Sequence, residues 1–429
     1  MLSGNRKVLF AWKLLVFLLL TNYQTVVILC NDFILLKFLR DLVLIYILVE
    51  TFARRPGLTK RYLLPLLLLV PFFVWGTVKT GNLGTAFVTL RKYLFPLGIL
   101  LAAKSFKGLT EEDYDNFIKY LLTLAATLSA WGIFQAHVLK DTFLIDMGYP
   151  TIYANAYQRI TLRHSYYFGN LGIQRVTSTV SNSNVFGIIM GVTIIAVLLR
   201  SKTQLNRLMG WVKLLLVAAG YVLTVSRSNF LAMVVIVIIL LWRYVPHKKK
   251  LIAAAAACLV GFVVLYIVQD SNGISHKLVN WVVASLSGQE SSASGRSSIW
   301  SKAIEGIVSN PLGIGFGKTG TTATDSASMY ACENSFLAMA LDMGIAGAAS
   351  YIVLVLCILY DLYRCHGETG NDSLARSSTA IVIYFFIVCL FSNHIYDMEA
   401  IGLVYLLFGL GSNLLEHPDT ATNEERTPQ

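Results

Sequence analysis

Apolar runs long enough to cross a bilayer core of about 30 Å recur from one end of this 429-residue chain to the other. In lipid every backbone polar group needs a partner within the protein, so such runs fold as helices; they also lack the two-residue alternation of barrel strands. The chain is 55% apolar and 14% charged, where soluble domains carry roughly 25% charge. The expected fold is an all-α polytopic membrane protein of about 12 transmembrane helices. The runs lie near 8–30, 33–50, 62–78, 86–103, 117–139, 184–200, 211–225, 229–245, 251–269, 336–360, 378–392 and 399–415. The second is marginal, because Lys37, Arg40 and Asp41 sit inside it.

A net charge of +11 suits nucleic acid in general, but its placement here argues for a membrane. Basic residues gather at Arg54, Arg55, Lys60 and Arg61, at Lys104 and Lys107, at Arg200, Lys202 and Arg207, and at Lys248 to Lys250. These clusters fall on alternate loops, as positive-inside orientation requires of the cytoplasmic ones. Both termini are then cytoplasmic, and the loops 140–183, 226–228, 270–333 and 393–398 face outward. The chain divides into five N-terminal spans (1–139), an outer loop (140–183), four spans (184–269), a large outer loop (270–335), three C-terminal spans (336–415) and a disordered polar tail (416–429). No small-residue cleavage site follows the first run, so it reads as a span and not as a signal peptide. Six cysteines without a CxxC pair indicate neither a disulfide framework nor a zinc site.

On this topology outward-facing arginines need explaining, and four stand out: Arg163, Arg175, Arg227 and Arg296. A guanidinium is a planar fork of donors that keeps its charge, which suits phosphate and diphosphate oxygens. The alternatives are pairing with Asp141, Asp146, Glu290 or lipid headgroups, or snorkelling of Arg227 at the interface. Arg227 lies in Thr224-Val225-Ser226-Arg227, a turn with almost no loop between two spans. Arg175 precedes Ser181-Asn182-Ser183-Asn184, where Asn184 is the expected N-cap of the next span. Ile299, Trp300, Ala303, Ile304, Ile307 and Val308 recur at helical spacing and mark a short amphipathic helix with Arg296 at its N-terminus. Gly313, Gly315 and Gly317 follow no strand, so a nucleotide loop is excluded in favour of a close-packed return loop. Glu333 stands just before a helical run, either as a dipole-favoured terminal carboxylate or as a general base. Asp342, His394, Asp397 and Glu399 are further titratable candidates. Tyr149, Tyr153, Tyr157, Tyr166 and Tyr167 cluster in one outer loop as possible sugar platforms.

Taken in order, the Arg175-Val176-Thr177-Ser178-Thr179 run, the 224–227 turn, Gly295-Arg296 with Trp300, Asn310-Pro311-Leu312-Gly313-Ile314-Gly315, and Glu333-Asn334-Ser335-Phe336 through Gly344-Ile345-Ala346-Gly347 resemble the O-antigen ligase and polymerase (Wzy/WaaL-like) superfamily. The likeness covers roughly residues 165–350. It implies a GT-C-like helical fold in the bacterial inner membrane and inverting, metal-independent glycosyl transfer on its outer face, with no cofactor. The implied partners are undecaprenyl diphosphate-linked oligosaccharides as donor and acceptor, membrane lipids, a chain-length regulator and a flippase, and no nucleic acid. Arg175, Arg227 and Arg296 would hold the diphosphate; Arg163 is added by its position alone. Ligases of the superfamily have a histidine where this chain has Glu333, so the resemblance favours a polysaccharide polymerase, for O-antigen, capsule or exopolysaccharide. A ligase is the nearer alternative. A lipid-linked oligosaccharide transporter is the other, and Lys37, Arg40, Asp41, Arg91 and Lys92 are the residues that suit it, although an ion pair of Asp41 with a nearby arginine would account for some of them.

Overall fold

The computed structural model describes residues 2–25, 34–53, 60–149, 151–154, 159–162, 167–168, 173–200, 208–244, 291–319, 332–369 and 372–416. Their helices are α1 (Leu2–Asn22), α2 (Ile34–Ala53), α3 (Lys60–Thr80), α4 (Leu83–Ser105), α5 (Glu111–Phe134), α6 (Lys140–Asp146), α7 (Ser183–Arg200), α8 (Leu208–Leu223), α9 (Arg227–Tyr244), α10 (Ser291–Ser309), α11 (Ser335–Thr369), α12 (Asp372–Phe391) and α13 (Met398–Glu416). A π turn, Gln135–Leu139, joins α5 to α6. Two short antiparallel ribbons interrupt the helical pattern, pairing Thr151–Ala154 with Arg159–Leu162 and Tyr167–Phe168 with Ile173–Gln174.

Among the described residues seven helices are long and apolar enough to cross a membrane: Arg6–Thr25, Leu83–Ser105, Glu111–Leu139, Ser183–Arg200, Ser335–Arg364, Ser373–Phe391 and Met398–Glu416. Leu64–Thr80, Leu208–Leu223 and Arg227–Trp242 are shorter apolar helices. The expected run at 33–50 is a helix, yet it is not among the candidate crossings; it carries Lys37, Arg40, Asp41 and Glu50. The expected run at 251–269 and the tail beyond Glu416 lie outside the described residues.

α13 is the axis of the bundle. Nearly every residue from Met398 to Leu415 is buried, as befits a helix that is apolar on all sides. It packs most extensively on α4, and glycine allows the approach. A Cβ added at Gly409 would lie 2.7 Å from Ala103 Cβ and 3.0 Å from the Leu100 carbonyl. Small residues at a helix crossing let backbones close up where lipid offers no hydrophobic drive between helices. Outward-facing Leu42, Val49, Val70, Val234 and Trp242 leave an apolar exterior.

The helix termini sort into two ends. At one end Arg200 binds Glu111, Asp115 and Ser373, and Lys104 binds Ser412 and Glu416. The opposite end gathers the 81–82 turn, residues 173–182, the 224–226 turn, the 310–319 loop, Cys332–Asn334 and the 392–397 loop. There the glycine-rich loop is docked backbone to backbone. Ile314 N–H donates to the Leu341 carbonyl at 2.6 Å, Phe316 N–H to Gly76 at 3.1 Å, and Ile345 N–H to Pro311 at 3.0 Å. This is the close-packed return loop expected from the sequence.

Gly344 breaks α11 at φ 81, ψ 167, a region essentially restricted to glycine. A Cβ there would stand 2.7 Å from the Leu312 carbonyl carbon, and one at Gly313 would stand 2.6 Å from Gly344 N. We therefore expect Gly344→Ala to destabilise the protein by about 1–3 kcal/mol, read as a lowered thermal midpoint in detergent. Gly84→Ala, whose added Cβ would meet nothing closer than 3.4 Å, should change stability by less than about 1 kcal/mol. Equal midpoints for the two variants would remove the kink from the argument.

Candidate active site

The turn between α8 and α9 is the tightest piece of the assembled end. Val225 takes φ 46, a conformation that is a genuine outlier for a β-branched residue, and such strain persists only where surrounding contacts enforce it. Those contacts are polar. Asn229 donates from Nδ2 to the Asn184 carbonyl and to Ser226 Oγ, both at 2.9 Å. Its Oδ1 accepts from Tyr384 of α12 at 3.0 Å, and its carbonyl accepts from Tyr221 at 2.6 Å. A Cβ at Gly187 would lie 2.2 Å from Asn229 Nδ2, so glycine makes room for the amide.

Arg175 closes the turn from the other side. Its Nε donates to the Thr224 carbonyl at 2.7 Å and its Nη2 to Asn184 Oδ1 at 2.6 Å. Both acceptors are neutral. Burial, and then the positive charge of Arg227, bring the Arg175 guanidinium down to about 10. Two arginines are thus held together at the end of the bundle, with Arg227 in the first turn of α9. Arg175 is thus a buried cation whose two named acceptors are neutral oxygens, and an anion beside it would offset its burial.

The expected cap at Asn184 is corrected. α7 starts one residue earlier, and Asn182 Oδ1 accepts from Val185 N–H at 2.9 Å. Asn184 is thereby free to receive Arg175. A second correction concerns Arg296. α10 begins at Ser291, so Arg296 lies in its second turn, beyond the amides that attract anions at a helix start; its side chain is outside the described residues. The apolar stripe of α10 is split, with Ala303 and Ile307 buried and Ile304 and Val308 exposed. Arg163, Tyr157 and Tyr166 lie outside the described residues. Tyr149 is buried edge-on against Tyr23, which makes it a core residue, not a sugar platform.

On the other flank of α12, Asn334 caps α11, accepting from Phe336 and Leu337 N–H at 2.9 and 3.1 Å and donating to the Leu390 carbonyl at 2.9 Å. Glu333, just before the cap, is exposed. Ser335 Oγ donates to the Ser392 carbonyl at 3.1 Å and accepts from His394 N–H at 2.9 Å. The 392–397 loop is thus stitched to the start of α11. Within it His394 Nδ1 meets Asp397 Oδ2 at 2.7 Å. Glu399 stands one residue into α13, in the field of Arg40 and Lys92.

Asp342 lies beneath this loop, fully buried. Its Oδ1 accepts from Thr319 at 2.8 Å, and its Oδ2 accepts from Tyr93 at 2.9 Å and from Tyr396. Burial, and then the charge of Asp342, push the Tyr396 phenol far above its ordinary value and keep it a donor. Three basic residues of α2 and α4 have contacts among the described residues, although Arg40 Nε and Nη1 lack hydrogen-bond partners. Arg91 pairs with Asp41, Lys92 lies over the Tyr396 ring at 5.7 Å, and Arg40 over Phe95 at 5.8 Å. The Arg91–Asp41 ion pair is the one anticipated from sequence.

The sequence singled out the arginines and Glu333 but missed Asn229, Tyr396 and Thr319. The one available signal was the density of polar residues in Ser226–Asn229 and Asn393–Asp397. Replacing Asp342 with Ala strands three buried hydroxyls, and we expect a loss of about 2–5 kcal/mol. Asp342→Asn keeps an acceptor and should lose less. Thermal unfolding in detergent distinguishes them, and an Ala variant as stable as the parent would refute the assignment.

Residues 211–352, about a third of the chain, match the family described as O-antigen ligase. No curated protein matches the sequence. The matched segment takes in the α8–α9 turn with Arg227, the amphipathic α10, the docked glycine loop, and the start of α11 with its kink. Residues 211–352 of this helical membrane protein are thus similar to the O-antigen ligase family.

Proposed function

We propose that the protein polymerises a polysaccharide, transferring glycan from an undecaprenyl diphosphate-linked donor to a lipid-linked repeat unit at the outer face of the bacterial inner membrane. The observation that carries this reading is the Arg175–Arg227 pair. Two guanidiniums converge at the bundle end, and Arg175 has only neutral oxygens for partners. A lipid diphosphate brings its anionic group to that depth, and its negative charge grows as the glycosidic bond breaks. Fixed cations that meet developing charge are usually the largest catalytic contribution. By the resemblance Arg296 would add a third donor, and Arg163 a fourth by its place in the sequence alone. The opposite end, which in this reading faces the cytoplasm, carries Lys104 and Arg200.

Glu333 sits at the position where the superfamily's ligases have histidine, and this favours a polymerase over a ligase. Exposed just before α11, it is the proposed partner of the acceptor hydroxyl. No metal enters the proposed chemistry; the arginines neutralise the diphosphate. The transporter alternative loses support from the ion pair and aromatic contacts that occupy Arg91, Lys92 and Arg40.

The purified protein should convert lipid diphosphate-linked repeat units into a ladder of longer glycans in the presence of a chelator. Arg227→Ala and Arg296→Ala should each lower the rate by about 100-fold or more. A single-unit transfer to a different acceptor would replace polymerase with ligase. An intact ladder from both variants would overturn the diphosphate site.

A further inference from the structure

We propose that a groove between α9, α11 and α12 holds one acyl chain of an anionic phospholipid, with the lipid phosphate at Arg376. This site is separate from the Arg175–Arg227 corner and does not depend on the glycosyl-transfer reading.

The groove arises from how three helices pack. α9 and α11 each pack along α12 but make few contacts with each other, so a gap stays open above α12. Its floor is low because α12 places Ala375 and Ala380 there, and Ile239 of α9 and Leu362 of α11 form the sides. The cavity measures about 250 Å³, against roughly 150 Å³ for an apolar protein cavity that takes up benzene. Among the described residues its walls are apolar but for Thr379, Tyr363 and Arg376. Such a space suits a stretch of hydrocarbon, and the exposed side chains of Ile239 and Tyr363 mark its open rim.

Charge marks one end of the groove. Arg376 lies one turn inside the crossing segment Ser373–Phe391, and Ser373 accepts from Arg200 Nη1 at 3.1 Å. This is the end of the bundle read above as cytoplasmic. Exposed aromatic residues stand at the same end of the two side walls: Trp242 just beyond the groove on α9, and Tyr360 and Tyr363 on α11. Aromatic rings collect at headgroup depth, where lipid phosphates lie. A charge inside a span is costly unless it meets water, protein or a headgroup. Arg376 has another polar contact in the fold, and its five N–H donors let it hold a phosphate as well. Basic pockets between spans on the cytoplasmic side suit anionic headgroups.

The rival occupant is the hydrocarbon of a polyprenyl lipid whose diphosphate sits at Arg227. α9 and α12 do run from the groove to that corner, where Tyr384 supports Asn229 about 12 Å along α12 from Arg376. Hydrocarbon gains nothing from a guanidinium, however. Arg376 favours a lipid whose charged head lies at its own end of the groove. A chain seated there fills the gap between α9 and α11 and ties α9, whose other end carries Arg227, to the rest of the bundle.

The test uses the full chain in a nonionic detergent, with lipid binding read by native mass spectrometry. Palmitoyl-oleoyl phosphatidylglycerol should bind about fivefold or more tightly than the phosphatidylcholine with the same chains. Arg376→Gln should shrink that preference to within about twofold. Ala380→Phe, which fills the floor, should weaken both lipids, whereas Val234→Phe on the exposed face of α9 should leave them unchanged. Equal binding of the two phospholipids by the parent overturns the proposal, as does a preference that survives Arg376→Gln or binding that survives Ala380→Phe. Displacement of phosphatidylglycerol by inorganic phosphate at equal concentration also overturns it, since the chain would then contribute nothing. Undecaprenyl phosphate that binds more tightly than phosphatidylglycerol, and is lost in Ala380→Phe but not in Arg376→Gln, would give the groove to the polyprenyl chain instead. If Arg376→Gln does not fold, the parent decides by photo-crosslinking to phosphatidylglycerol with a benzophenone-labelled chain. Label on the groove residues of α9, α11 or α12 supports the site, and label confined elsewhere overturns it.

Discussion

The buried carboxylate of Asp342 is the interaction on which the outer architecture depends. One side chain of α11 accepts hydrogen bonds from α4, from the end of the glycine loop and from the 392–397 loop. Those three segments are far apart in sequence, and none is held at this point by helix packing alone. A carboxylate under so little water is tolerated only when its lone pairs are filled. Three hydroxyls fill them, and in doing so fix where the loops begin and end. The position of His394 follows from this, because Tyr396 is anchored two residues along the same loop.

The second constraint is the α8–α9 turn. A β-branched residue with positive φ is unfavourable by itself, and the surrounding amides and hydroxyls hold it there. The result is a short rigid corner that presents Arg227 and receives Arg175. α12 joins the two regions: Tyr384 supports Asn229 on one flank, and Leu390 receives Asn334 on the other. The Arg175–Arg227 corner and the start of α11 therefore both rest on one helix.

Much of this was legible in advance. Apolar run length fixed the helices, because backbone groups in lipid must bond within their own segment. The glycine loop and the kink were readable because positive φ and close backbone approach both call for glycine. The Asp41 ion pair was anticipated from the cost of isolated charge between spans. Asn184 was misassigned because capping residues look alike in sequence, and only the start of α7 shows that Asn182 bonds the helix amide. Arg296 was placed at a helix start because the apolar stripe begins at Ile299, whereas the polar Ser291–Ser298 stretch forms helix without an apolar signature.

The sequence by itself determined a helical membrane protein, the sites of glycine-dependent turns, and which arginines departed from the charge pattern. These are local properties, set by hydropathy, backbone sterics and charge. Tertiary structure alone decided that Arg175 lies in the field of Arg227, that Asp342 is a clasp, and that the loop carrying the His394–Asp397 pair is tied to the start of α11. Each of these arises from residues brought together across tens or hundreds of positions. Hydrogen bonding and desolvation act over a few ångströms, so a side chain's role is settled by its neighbours in space.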